Sequence, residues 1–454
     1  MAKCDVSSLE SKSIVLAEVT EFGVSLKVNR DSLSPKRNEG YYCQEMDVNR
    51  ALVTTALSVF CETGHSVFKP VRCIDVIGST GVAGLLWKKY LASDVHVHIN
   101  DPHENSHQII LDNRQRNGLE TDIHRKDPCV LLHEMPFSFI YLDCHTDASF
   151  YLDSLMRNIP KQGIIAINTK DDGALYGRTP DMALRNYGGT ITKTFYSKEL
   201  AARLIVAGMV RSAAVHSKGL EVLCVLSVKS TITILVKILK GPAQANSCMA
   251  KIKPLVHCNM CEDRGFYPSS VYPVENPGSL LSCKCLENTP GKVLVNVGPV
   301  WSGSLFNANF VRTMISHMNK YPWEKSMKEV METLLYEAWC PNLEGEKLLK
   351  KVNDKIKNNT LHQPLSENQE PPVKKKKEDT QNIKEIAASQ PEPPFYFNLH
   401  KHCPKGPKMV KVGKVVSNLQ KAGFRASRTH FDPLAVKTTA SLSELMGILS
   451  HSMD

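Results

Sequence analysis

Apolar runs punctuated by glycine and acid dominate the first half of the chain. Cys73-Ile74-Asp75-Val76-Ile77 reads as a strand, breaks into Gly78-Ser79-Thr80-Gly81-Val82-Ala83-Gly84, and passes into a helical stretch, Leu85 to Tyr90. A second extended run, Val95 to Ile99, ends in Asn100-Asp101, and a third, Phe137 to Leu142, ends in Asp143. Strand, glycine turn, helix, strand and acid in that order predict a doubly wound α/β sheet with a crevice at the carboxyl ends of its strands. Gly78 and Gly81 let the backbone approach a bound nucleotide cofactor, and Asp101 can accept both hydroxyls of a ribose.

The remaining pattern sets the domain limits. In the first forty residues only Val24-Ser25-Leu26-Lys27-Val28 alternates like a strand. Helical periodicity fits Asn49 to Cys61, and Ile164 to Ile167 fits a buried strand. Residues 192–228 read as a helix (Glu199 to Ala207) and two strands (Val210 to Val215, Val222 to Val228). A smaller part is predicted to begin near Thr231 with the strand Ile232 to Ile238, then a cysteine-bearing insertion and helices through about Asp354. Residues 358–394, rich in Pro, Gln, Glu and Lys without apolar periodicity, read as a disordered linker. Order returns in 395–454, with helices at Val412 to Ala422 and from about Ser441. The division is therefore 1–40, 41–229, 230–357, 358–394 and 395–454.

Composition narrows the classes. The chain has 454 residues, 42% hydrophobic and 22% charged, as a globular protein of two or more domains has. It contains no apolar run long enough to span a bilayer, and Met1-Ala2-Lys3-Cys4-Asp5 does not begin a signal peptide. Its 14 cysteines then read as thiols or metal ligands rather than disulfides. His257-Cys258-Asn259-Met260-Cys261 and Cys283-Lys284-Cys285 form two tight pairs, and Cys258, Cys261, Cys283 and Cys285 can satisfy a tetrahedral, structural Zn2+. Cys43, Cys73, Cys129 and Cys144 stand alone and read as core or surface residues.

A net charge of +10 suits a polyanionic partner. Lys401, His402, Lys405, Lys408, Lys411, Lys414, Lys421, Arg425, Arg428 and Lys437 interleave along the C-terminal segment as phosphate-contacting residues do. Lys374 to Lys377 read as a nuclear localisation patch or a loose polyanion contact, and the first would place the chain in the nucleus or its nucleolus.

These pieces together resemble a family. Asn49-Arg50 after Tyr41-Tyr42, the glycine turn, Asn100-Asp101, Asp171 with Ala174-Leu175-Tyr176-Gly177, and Asn186-Tyr187-Gly188-Gly189 occur in the order found in the tRNA guanine-N2 dimethyltransferases. So do Gly298 to Gly303, Ala422 to His430 and Ala435 to Thr438, and the chain is most like a diverged branch. The resemblance implies a class I, Rossmann-like core dependent on S-adenosyl-L-methionine, plus a smaller α+β C-terminal domain that grips tRNA. It implies neither a membrane nor a DNA partner. The target it implies is a guanosine at position 26 or beside it. Asp143 falls where the family has its catalytic aspartate, with the Cys144 carbonyl behind it. Asp101 would bind the ribose, Asp127 the adenine amino group, and Arg50 the methionine carboxylate. Departures stand beside these matches. Cys144-His145-Thr146-Asp147-Ala148 replaces Pro, an aromatic, Gly, Ser and Pro, while Ala51, Ala83 and Lys198 replace Asp, Arg and His. They sustain two alternative readings, a shifted target guanosine and a tRNA-binding paralogue that has lost the chemistry.

Overall fold

The computed structural model describes residues 16–29, 40–144, 147–269, 274–289, 291, 293–347, 391–402 and 411–451. His145, Thr146, Lys405, Lys408, the Lys374 to Lys377 patch and nearly all of the 358–394 linker lie outside the described residues.

An antiparallel hairpin, β1 (Leu16–Glu21) and β2 (Val24–Asn29), precedes helix α1 (Asp47–Thr63). The sequence pattern showed only the second arm, because β1 puts Leu16 on its exposed face and Glu21 on its buried one, which breaks the alternation. Phe22 at the hairpin tip meets Trp323 edge-on at 5.2 Å, and Tyr90 donates to the Phe22 carbonyl, so the tip is pinned to the core.

The central sheet follows as β3 (Val71–Asp75), β4 (Val95–Asn100), β5 (Asp122–His124), β6 (Phe139–Cys144), β7 (Ile164–Thr169), β8 (Lys218–Val228) and β9 (Thr231–Lys240). Its order is β5-β4-β3-β6-β7-β9-β8, with five parallel strands and an antiparallel hairpin at one edge. All six residues of β7 are buried, as a strand covered on both faces requires. Strand order turns back between β3 and β6, which opens a crevice beyond their carboxyl ends. Between these strands run α2 (Val82–Leu91), α3 (Glu104–Arg116), α4 (Pro128–Glu134), α5 (Leu152–Arg157), α6 (Pro180–Tyr187) and α7 (Ser197–Val215).

Two expectations are corrected here. Val210 to Val215 is no strand but the last third of the 19-residue helix α7. Every residue from Glu199 to Val210 is buried, so apolar side chains occupy all faces and the helical period disappears from the sequence. The division at 229/230 also fails as a domain boundary. It cuts the tight turn between β8 and β9, where Val228 pairs with Thr231, and β9 then pairs along β7 inside the same sheet.

Beyond β9 come α8 (Pro242–Met249), a small sheet of β10 (Ile252–Cys258), β11 (Arg264–Phe266) and β12 (Leu294–Trp301), and α9 (Cys285–Asn288) within its loop. Helices α10 (Ala308–Met318) and α11 (Glu324–Trp339) return to pack on α1 and share the core of the large sheet. The last segment builds a three-stranded sheet, β13 (Phe397–Asn398), β14 (Ala426–Arg428) and β15 (Ala435–Thr438), over α12 (Leu399–His402), α13 (Val412–Lys421) and α14 (Leu442–His451). Among the described residues no helix is long and apolar enough to cross a membrane.

A buried charge cluster locks this segment to the core. Lys437 on β15, fully enclosed, sits 3.3 Å from Glu199 of α7 and 3.1 Å from Glu337 of α11. Arg203 binds the other oxygen of Glu199, and His430 binds Glu337. Removing one partner strands the remaining charges without water, so Lys437→Met is expected to lower stability by roughly 3–5 kcal/mol. Urea unfolding followed by tryptophan fluorescence measures it; an unshifted midpoint would show the cluster to be energetically idle.

Candidate active site

The crevice is floored by the turn after β3. Gly78 lies so close to β4 that a Cβ there would stand 2.6 Å from Ile99 Cγ2, and Gly81 adopts the left-handed conformation at φ 79°. Gly84 lets α2 settle on β4, since a Cβ would meet Ile99 Cγ1 at 2.5 Å. Over this turn passes the segment Gly40 to Cys43, held by Ser79 Oγ, which donates to the Tyr41 carbonyl at 2.8 Å.

Three carboxylates end three adjacent strands: Asp75 on β3, Asp101 after β4 and Asp143 on β6. Asp101 accepts from the Ser79 amide at 2.9 Å and from the His103 amide at 3.0 Å, tying the glycine turn to the start of α3. Asp143 has both oxygens engaged: Asn168 Nδ2 donates to Oδ1 at 2.8 Å and Tyr141 OH donates to Oδ2 at 3.1 Å. Burial and Asp143 itself push the Tyr141 phenol well above its usual value, so it remains a donor. Behind Asn168 stands a relay: Thr233 donates to Asn168 Oδ1 at 2.9 Å and accepts from Asn49 Nδ2 at 2.5 Å. Asn49, Thr233, Asn168 and Asp143 come from α1, β9, β7 and β6, and together they fix one carboxylate.

Asp75 was not singled out from the sequence, where it lay inside an apolar run. It is buried, its Oδ1 has no partner among the described residues, and burial together with Asp143 raises it to about 8. Glu21 was missed for a different reason, since only the hairpin brings it across. Arg50, expected to face a ligand carboxylate, instead gives Nε (2.7 Å) and Nη2 to Glu21, and Nη2 also to the Cys43 carbonyl at 3.0 Å. Both side chains are buried, and only the Nη1 edge of Arg50 is left facing no partner among the described residues. Asp127 caps α4, its Oδ1 accepting from the Cys129 and Val130 amides at 2.8 and 3.1 Å, while the residue stays exposed.

A separate cluster lies at the small sheet. One Sγ from each of Cys258, Cys261, Cys283 and Cys285 falls within 4.8 Å of the others. Asp263 Oδ2 accepts from the Ser282 amide (2.6 Å), Ser282 Oγ (2.9 Å) and the Cys283 amide (2.9 Å), folding the two cysteine pairs toward each other.

The model of the family described as N2,N2-dimethylguanosine tRNA methyltransferase matches residues 23–340 and 338–450. The chain belongs to this family. A tRNA (guanine(27)-N(2))-dimethyltransferase from Macaca fascicularis is 34% identical over 91% of this chain and 64% of its own length. Its Homo sapiens counterpart is 34% identical over 91% of this chain and 61% of its own length. This chain thus spans a little under two thirds of these relatives. A tRNA (guanine(26)-N(2))-dimethyltransferase from Methanobrevibacter smithii is 25% identical over 90% of both chains. Among solved structures, Trm1 from Pyrococcus horikoshii in complex with S-adenosyl-L-methionine superposes with a TM-score of 0.67 at 19% identity, covering 95% of this chain and 99% of that one. It shares the Rossmann-like fold.

Departures from the family pattern now have locations. Ala51 and Ala83, where the resemblance implies Asp and Arg, are both buried in the core. Lys198, in place of His, is half-buried, and burial lowers its proton affinity. The basic reading of the C-terminal segment is corrected in part. Lys437 is enclosed by carboxylates, His402 is buried, and Arg425 spends its guanidinium on the carbonyls of Trp339, Cys340 and Pro391. Lys401, Lys411, Lys414, Lys421 and Arg428 remain exposed.

Asp75 supplies a pH test. Its folded value of about 8 exceeds the unfolded one near 3.9, so the folded chain holds an extra proton between those limits and loses stability as pH rises through them. Urea midpoints at pH 5 and pH 8 are expected to fall for the wild type relative to Asp75→Asn; parallel curves would mean that Asp75 is ionised throughout.

Proposed function

We propose that this chain dimethylates N2 of a guanosine in a restricted set of tRNAs, using S-adenosyl-L-methionine, at position 26 or the adjacent 27. Position 27 is favoured, because the relatives named for it share 34% identity against 25% for the M. smithii relative named for 26. The observation that carries the reading is the immobilised Asp143 carboxylate at the switch point of the sheet, in a chain of this family.

The crevice fits the cofactor on its own terms. Gly78 and Gly81 leave room for close approach, Asp101 stands beside them for a ribose, and the unpartnered Oδ1 of Asp75 suits a cationic group. Asp127 would read the adenine edge, and Arg50, through Nη1, a carboxylate. When bound, the cofactor supplies an electrophilic methyl carbon. Guanine N2 is a poor nucleophile because its lone pair is delocalised into the ring, and an acceptor on its N–H offsets the positive charge that develops. Asp143 is that acceptor, with the Cys144 carbonyl for the second N–H. The base must leave the helical stack to reach it. Exposed Lys401, Lys411, Lys414, Lys421 and Arg428 would hold tRNA phosphates.

The non-catalytic reading has less support. Four elements cooperate to orient Asp143, and a protein that only bound RNA would have no use for that precision. We further propose that the four cysteines hold a structural zinc. Zn–S bonds of about 2.3 Å give a tetrahedron with edges of roughly 3.8 Å, which thiols already within 4.8 Å can reach. A nuclear and nucleolar location is proposed on the Lys374 to Lys377 patch.

Nucleoside mass spectrometry with site mapping, on tRNA from cells with and without the gene, tests the function. N2,N2-dimethylguanosine should vanish from particular tRNAs and return with the wild type but not with Asp143→Ala, whose tRNA binding should persist; an unchanged profile would instead support RNA binding alone. Asn168→Ala, which unlatches the carboxylate, is expected to lower kcat about 10- to 100-fold with little change in tRNA affinity. Single-turnover kinetics would expose the opposite pattern. Cys283→Ser should lose one bound zinc by elemental analysis and melt at a lower temperature.

A further inference from the structure

A second cluster of ligand-type side chains lies at the β5 edge of the large sheet, and the methyl-transfer reading leaves it unused. His96 and His98 are two residues apart on β4, so they share one face, and Asp122 of β5 sits in register opposite His98. One donor atom from each of His96, His98 and Asp122 lies within 4.8 Å of the others. His96 Nε2 is 2.8 Å from Asp122 Oδ2, and His98 Nδ1 is 3.6 Å from the same oxygen. His124, on the same face of β5, brings Nε2 to 2.9 Å from His98 Nδ1.

Ordinary packing does not account for this arrangement. His98 is 1% exposed, and its Nε2 finds no partner among the described residues. Its Nδ1 faces another imidazole nitrogen, so the pair at 2.9 Å shares a single proton. His96 and Asp122 open onto a cleft of about 540 Å³, lined also by Lys88, Arg114 and Glu120, which gives an ion a way in. We propose that His96, His98 and Asp122 bind a divalent transition-metal cation, with His124 as the fourth donor. Three imidazoles and one carboxylate suit zinc and its first-row neighbours rather than magnesium or calcium, which prefer oxygen. As the cation enters, the shared proton moves to the other ring nitrogen of the imidazole that carries it, which frees the facing lone pair without any other reactant.

The location gives the ion a task. β5 is three residues long and hangs on β4 by one parallel ladder. The Asp101 amide donates to the His124 carbonyl at 3.2 Å, and the Lys126 amide to Asn100 Oδ1 at 3.0 Å. A metal bridging β4 and β5 therefore braces the strand ends that carry Asp101 and Asp127. Its existence does not depend on the activity proposed above.

Cobalt(II) titration of the metal-stripped full chain separates the two clusters. Ligation by nitrogen and oxygen gives visible d–d bands, whereas the cysteine set adds intense sulfur-to-metal charge transfer. Nitrogen–oxygen bands are expected in the wild type and should be lost in His96→Ala and Asp122→Asn, with affinity at this site falling at least about 100-fold. Both replaced residues are exposed, so the metal-free variants should melt with the wild type. Absence of those bands from the wild type, or their survival in both variants, would overturn the proposal.

Discussion

Three carboxylates crowd the ends of three neighbouring strands, and burial together with the neighbouring Asp143 carboxylate makes the fully buried one, Asp75, costly to ionise. The surrounding structure apportions that charge. Asp101 is spread over two backbone amides, and Asp143 is shared between an amide and a phenol. Arg50, a cation buried nearby, is already matched by Glu21. Asp75, whose Oδ1 has no partner among the described residues, is raised by burial and by Asp143 and keeps its proton to about pH 8. A cationic ligand beside Asp75 would favour its ionised form.

Meeting that constraint takes elements remote in sequence. Glu21 comes from a hairpin pinned by Phe22 against Trp323 and Tyr90, and the aromatic cluster there draws on α2 and the start of α11. Thr233 comes from the antiparallel strand β9, which would have no part in the site if the sheet ended at β7. Asp143 is held by the whole sheet rather than by its own loop.

Much of this was legible in the sequence, and the losses have physical causes. The glycine turn and the acids at strand ends are local signals: a turn that tolerates no Cβ must be glycine, and a strand must end before an acid can face solvent or ligand. Asp143, Asp101 and the cysteine pairs were readable for that reason. Asp75 was hidden because a buried acid with a raised proton affinity behaves, in the pattern, like another apolar residue. α7 lost its period by being buried all round. Lys437 looked like part of a basic stripe, and only tertiary structure reveals the two acids that enclose it. Partnerships across more than a hundred residues leave no periodicity to find.

That enclosure bears on how the molecule comes into being. Glu199 lies in the first turn of α7 and Glu337 in the last turn of α11, both laid down long before β15; Arg203 meets Glu199 from within α7, whereas Glu337 gains its described cationic partners, His430 and Lys437, only from the last segment. Glu337 has its Lys437 partner only once the last strand is in place. The final segment therefore completes the charge balance of two helices made much earlier in the chain.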